Sequence, residues 1–129
     1  MAVGLAPATA NLILDAIARG TDWAGFDAVW VKLHIGDPGA AGTANPAGHT
    51  TRIQATFGTP ASGGAISNTA ALVWTSVSNA EDFTHFSAWT LNASGVFEFS
   101  GLVTANAVLV GDTFTIPVGD LDLTLAVAA

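Results

Sequence analysis

The chain contains no cysteine and no tyrosine, and only 3 of its 129 side chains are Lys or Arg. Each shortage excludes something. Without cysteine there is no disulfide, no thiol nucleophile and no cysteine-ligated zinc, and thiol content assigns no redox compartment. Three cations cannot line a phosphate backbone, so nucleic acid is not expected as a direct partner. Charge of any sign is scarce: 10 acids and 3 bases give a net −7 and make up 10% of the chain, against roughly 25% in an ordinary soluble domain. No apolar run approaches the ~18–20 residues of a membrane span, so no membrane is expected either. The first seven residues carry no Lys or Arg, and Asp15 breaks the apolar stretch behind them. A secretory leader is therefore not expected.

What the chain does have is apolar side chains, 50% of the total, with a mean hydropathy of +0.51. Disorder does not fit that composition. The length suggests one domain, 1–129, able to bury a core without metal or disulfide. Within it, residues 1–26 read as a helix and a link, and residues 27–129 as a β body.

One helix is legible. Thr9 reads as the N-cap, Pro7 lies just ahead, and Gly20 follows Arg19 as a stop. Leu12, Ile13, Ala16 and Ile17 share one apolar face. About three turns long, the helix cannot stand alone and must dock, on its own sheet or on a neighbouring subunit. After Gly25 the period changes to two. In residues 28–35, Val29, Val31, Leu33 and Ile35 fall on one face, and Trp30, Lys32 and His34 on the other. Residues 36–50 hold four Gly and two Pro with no alternation, so they form a long loop of the kind that usually makes contacts. Alternation returns in 51–57, 65–67 and 70–75. Residues 83–90 and 96–103 flank a turn at 92–95 and predict a hairpin. Residues 112–118 and 121–127 predict a second one across Gly119-Asp120. The sum is an all-β chain: an antiparallel sandwich of about eight strands with one short N-terminal helix.

The order of certain motifs carries a resemblance. Val31-Lys32-Leu33-His34-Ile35-Gly36-Asp37-Pro38-Gly39-Ala40-Ala41-Gly42-Thr43 is followed by Arg52-Ile53-Gln54-Ala55-Thr56-Phe57 and Gly63-Gly64-Ala65-Ile66-Ser67-Asn68. Then come Thr84-His85-Phe86-Ser87-Ala88-Trp89, Ser94-Gly95, Gly111-Asp112-Thr113-Phe114-Thr115-Ile116 and Leu121-Asp122-Leu123-Thr124-Leu125. Taken in this order over nearly the whole chain, they resemble small virion proteins of tailed phages that infect actinobacteria. Those proteins are described as tail-fibre or as capsid-fibre and decoration proteins. Ile35 stands where that family often has Thr or Ser. Thr51 precedes Arg52 where an aromatic is common.

Chemistry is thinly represented. Gly36-Asp37-Pro38-Gly39 lacks the lysine and the following helix of a phosphate cradle, and reads as a turn with Gly39 at positive φ. His34, His49 and His85 show no metal-binding spacing, and His34 and His85 read as strand histidines satisfied by backbone carbonyls. No calcium-loop run is present. Glu81 and Asp82 read as a solvated turn, and no GxSxG elbow singles out a serine. No cofactor, metal or catalytic residue is assigned. Trp74 and Trp89 read as core. Trp23 and Phe26 suit either the core or an interface anchor.

The resemblance implies a non-enzymatic virion structural protein. The expected role is a decoration or fibre protein on the outer capsid, bound to the major capsid protein and to itself, as a trimer for example. The alternative is a tail-fibre or tail-tip subunit binding a host glycan, and a third class is a small glycan-acting or peptidoglycan-acting enzyme, for which Glu81 or Glu98 would have to carry turnover. The expected contact residues are Leu12, Ile13, Trp23, Phe26, Asp37, Pro38 and His49. The scarcity of charge fits a surface covered by other protein.

Overall fold

A computed structural model describes residues 3–128. It has one helix, α1 (Pro7–Arg19), and eight strands: β1 (Val29–His34), β2 (Ile53–Ala55), β3 (Ala65–Ser67), β4 (Leu72–Trp74), β5 (Glu81–Trp89), β6 (Phe97–Val108), β7 (Phe114–Ile116) and β8 (Asp122–Thr124).

Helix α1 begins earlier than Thr9. Ala6 is its N-cap, with no side-chain hydrogen bond, and Pro7 opens the first turn. The fixed φ of proline and its missing N–H suit that position. Thr9 is therefore inside the helix, where it is buried and its Oγ1 has no partner among the described residues. At the other end Gly20 takes the left-handed conformation, φ 65°, which glycine adopts without strain.

The main sheet has the order β2-β1-β5-β6, antiparallel throughout. Val31 and Leu33 point inward and are fully buried. The β5–β6 hairpin forms as its alternation predicts, with Thr90 N–H donating to Val96 O at 3.1 Å across the turn. It runs further than residues 83–103, because Glu81, Asp82 and Phe83 continue to pair with Val108, Ala107 and Asn106.

The second predicted hairpin does not form. β7 pairs with β4 and β8 pairs with β3. Leu72 faces Ile116 and Ser67 faces Asp122, so the two short ladders share one direction and nearly one register. They are a single antiparallel ribbon interrupted in the middle. Asn68 sits at the interruption, almost fully buried. Its Nδ2 donates to Ala70 O (2.9 Å) and Pro117 O (3.1 Å), and its Oδ1 accepts from the N–H groups of Gly119 and Leu121 (3.0 Å each). One side chain thus replaces the ladder bonds that the ribbon lacks there. Ser67 Oγ donates to Asp122 Oδ1 beside it.

The ribbon packs on the inner face of the sheet. Leu72, Trp74, Phe114 and Ile116 meet Val31, Leu33, Phe83, Phe86 and Phe99 in one core. Phe83 lies edge-on to Phe114 at 5.0 Å, and Phe86 edge-on to Phe99 at 5.9 Å. Gly101 faces Phe86 across the ladder, and a Cβ there would lie 2.5 Å from its ring. The fold is all-β, an open sandwich of a four-stranded sheet and an interrupted ribbon, with α1 outside it.

Candidate functional site

An N-terminal arm and a covering loop stand out from this body. The arm begins as an extra strand on β6. Ala6 N–H donates to Glu98 O (2.9 Å), Ser100 N–H donates to Gly4 O (2.8 Å), and Leu5 lies opposite Phe99. From there α1 leaves the body. Its first turn rests against β6 through the buried Thr9. Leu12 and Ile13 are half-buried, whereas Leu14 is 60% and Ile17 77% exposed. Docking of the apolar face on the same chain is thus only partial, and its distal end has no intramolecular cover. The link that follows carries Trp23 edge-on to Phe26 at 5.3 Å, both half-buried.

The loop is internally built. Asp37 Oδ1 accepts from Gly39 N–H at 2.8 Å, and Gly39 has φ 76°. This is the Asx-type turn expected of the Asp-Pro pair. Ala44 N–H donates to Pro38 O and Asn45 Nδ2 to Asp37 O, both at 2.9 Å. Pro38 is fully buried and offers no surface. The loop then folds over the outer face of the sheet. Gly42, at φ 74°, sits on the Phe97 ring, where a Cβ would approach to 2.6 Å. Gly42→Ala should therefore cost about 2 kcal/mol, from left-handed strain and the displaced ring. Urea unfolding checks this, and an unchanged midpoint would contradict it. Glu81 is not a free turn carboxylate. It accepts from Gly48 N–H (2.6 Å) and His49 N–H (3.4 Å) and so ties the loop end to β5. His49, half-buried, accepts from Ser78 N–H at 3.1 Å through Nδ1.

Arm and loop meet. Ala6, Pro7 and Ala8 line an apolar groove of about 330 Å³ together with Ala40, Ala41, Val96 and Phe97. Leu12, Ile13, Trp23 and Phe26 belong to the arm and Asp37 to the loop that adjoins it. His49 lies with Ser78 and Glu81 instead.

Under the loop, His34 and Ser87 form a pair that invites a catalytic reading. His34 Nδ1 bonds Ala44 O at 2.8 Å, so it carries the proton. Nε2 then accepts from Ser87 Oγ at 2.7 Å, and Ser87 in turn accepts from Trp89 Nε1 at 2.7 Å. Burial holds His34 below its usual pKa. Every group in this chain is satisfied, both His34 and Ser87 are inaccessible, and the ring nitrogen is oriented by a carbonyl rather than a carboxylate. The arrangement fastens the loop and exposes no nucleophile. Among the described residues no three His, Cys, Asp or Glu side chains gather as a metal site.

Trp74 is core, with Nε1 donating to Thr51 O at 2.9 Å. Trp89 is not core. Its period-two position places it on the outer face opposite Trp30, half-buried under the Arg52 guanidinium at 4.8 Å. Arg52 also donates to Leu91 O (2.8 Å) and Ser94 O (2.7 Å), clamping the β5–β6 turn. Alternation alone does not separate Trp89 from the core, because aromatics occupy both faces of β5.

No curated protein matches the chain. The family described as podophage GP4 fiber I protein gp80 matches it over residues 4–124. That span runs from the arm strand through α1, the loop, the hairpin and both halves of the ribbon. The chain therefore belongs to this family, and it is a phage virion structural protein of the fibre type.

Proposed function

We propose that this protein is a non-enzymatic fibre subunit that is built into the virion through its N-terminal arm, in contact with further copies of itself. The observation that carries the reading is the arm. Leu14 and Ile17 lie on a helix that cannot be stable in isolation, yet they face solvent. Burying them against a neighbour supplies the apolar contact that the body does not. The word "fiber" in the family description supports a fibre over the outer-capsid decoration suggested by the sequence resemblance. An actinobacterial host and a trimeric state, which the order of the motifs suggests, are parts of the same proposal. We assign no saccharide site: Trp74 is buried, Trp89 is covered by Arg52, and Trp23 is held edge-on to Phe26.

Leu14→Lys with Ile17→Lys tests the reading. Both side chains are exposed, so the melting temperature should move by no more than a few degrees. Incorporation into particles should fall at least tenfold in a complementation assay scored by immunoblot of purified virions. Wild-type incorporation of this variant would overturn the role of the arm. Immunogold labelling or reconstruction of the particle tests location: density on projecting fibres is expected, and density spread over the shell would restore the decoration role.

A further inference from the structure

We infer that the outer face of the main sheet around Lys32 and Arg52 receives the link between α1 and β1 of a second copy, through the carboxylates of Asp22 and Asp27. This rests on the arm as the assembly element and names the surface that receives it. The chain has 3 cations against 10 acids. Arg19 is paired with Asp15 on its own helix at 3.6 Å, the one ion pair among the described residues. The other two cations stand together. Trp30 faces Gln54 and Val31 faces Ile53 across β1 and β2, so the next position in that register sets Lys32 beside Arg52 on the outer face. Like charges at such positions repel. Burial, and then the charge of Arg52, hold the Lys32 ammonium below its ordinary pKa. Arg52 uses only Nη1, on the neutral carbonyls of Leu91 and Ser94, and its Nη2 and Nε are free among the described residues. The Lys32 ammonium has no partner among them either. Trp30, half-buried on the same face, keeps its indole N–H equally unpaired. Carboxylates are the groups that match such a set of donors.

Charge selects the occupant. Two chains of net −7 repel over most approaches. A contact between copies therefore has to set cations against acids, and Lys32 and Arg52 are the cations left for it. On the acidic side, Asp37, Glu81, Asp112 and Asp122 are hydrogen-bonded within the chain, and Glu98 is inaccessible. Asp22 and Asp27 are exposed, form no side-chain bond among the described residues, and flank the edge-on pair Trp23 and Phe26. The link thus brings two free carboxylates and an aromatic pair to a face with two free cations and an indole. Asp82 and Asp120 are also free, but each is a single free carboxylate. Face and link are different surfaces, so the contact is heterologous and closes as a ring or continues as a filament.

Lys32 is the only lysine of the chain, so a zero-length carbodiimide join from a lysine to a carboxylate reports on this face alone. Mixing isotope-labelled and unlabelled full chain marks the joins made between copies. The expected result is mixed-isotope joins of Lys32 to Asp22 or Asp27. Sedimentation velocity should show concentration-dependent association that weakens at least tenfold between about 50 mM and about 500 mM salt. Lys32→Glu should raise the dissociation constant at least tenfold. Its melting temperature should not fall, because the new carboxylate lies beside Arg52 of the same chain. Asp22→Asn with Asp27→Asn should weaken association equally without touching the face. A monomer at every concentration overturns the inference. So do joins made only within one chain or only to other carboxylates, or association that both variants leave intact. Normal incorporation of the Leu14→Lys, Ile17→Lys variant counts against the arm and leaves the Lys32 joins in place. Loss of those joins, with incorporation still dependent on α1, counts against the link contact alone.

Discussion

Replacing Asn68 with alanine is expected to lower the unfolding free energy by about 3–5 kcal/mol. The side chain makes four hydrogen bonds, two as donor and two as acceptor, at the point where the β3–β8 and β4–β7 ladders are interrupted. Truncation leaves Leu121 N–H and the carbonyls of Ala70 and Pro117 without this partner beside an almost inaccessible site, while Gly119 N–H keeps its bond to Asn68 O. Each buried orphan costs roughly 1–3 kcal/mol, less where the backbone relaxes or water enters. For a chain of this length the melting temperature should fall by roughly 10–20 °C. The backbone bonds Asn68 N–H to Leu121 O and Gly119 N–H to Asn68 O remain in the variant, so the ribbon should loosen without losing its register. Urea unfolding and a thermal melt measure the change. A loss below about 1 kcal/mol would mean that the interruption is held by those backbone bonds alone.

Glu98 carries the second large effect, as a dependence on pH. It is 1% exposed, and neither carboxyl oxygen has a hydrogen-bond partner among the described residues. It is the extra residue where β6 slips against β5, between the pairs Ala88–Phe99 and Trp89–Phe97. Burial pushes its pKa up to about 7 from an ordinary value of 4.5. The folded state therefore holds this proton more tightly than the unfolded chain does. The resulting stability is fully present below about pH 4.5 and is lost as pH rises through about 7. Its size is about 3 kcal/mol. His34 acts in the opposite sense: its pKa is lowered by burial, so its contribution is present above the ordinary histidine value and is lost as pH falls. Glu98→Gln isolates the carboxyl. The stability of wild type minus that of Glu98→Gln, measured by urea unfolding from pH 4 to pH 8, should fall steadily across that range. A difference independent of pH would show that the carboxyl reaches a partner or solvent.

The parts of the fold legible in the sequence are those governed by neighbours along the chain. The change from helical to period-two spacing after Gly25 locates α1 and β1. Val31 and Leu33 fall inward because alternation requires it. The β5–β6 hairpin is legible because both strands are long and join across a short turn. Gly39 is legible because Asp-Pro needs a positive φ two residues on. The failures share a different cause. Gly119-Asp120 has the chemistry of a tight turn, but β7 and β8 are three residues each, too few for a local pairing to outweigh two distant ones. Thr9 has the chemistry of an N-cap, but Pro7 already fixes the start of the helix. His34 falls on the outward face of β1 and is nonetheless inaccessible, because the loop returns over it and Ala44 O accepts the hydrogen bond of its Nδ1–H.

The contact surface divides in the same way. Leu12 and Ile13 are legible from helical spacing, yet nothing in that spacing says that Leu14 and Ile17 are the ones left uncovered. Pro38 fits a contact loop by position and is interior in fact.

By itself the sequence determined the composition, the small number of cations, the all-β class and the short helix, because these depend on residue type and on spacing along the chain. The order of motifs pointed to the virion in the same way. Only the tertiary structure decided how the ribbon pairs, that Asn68 bridges it, that Glu98 is buried without a partner, and which apolar side chains remain outside. These depend on segments tens of residues apart, whose approach is set by the packing of the whole core and by no local preference.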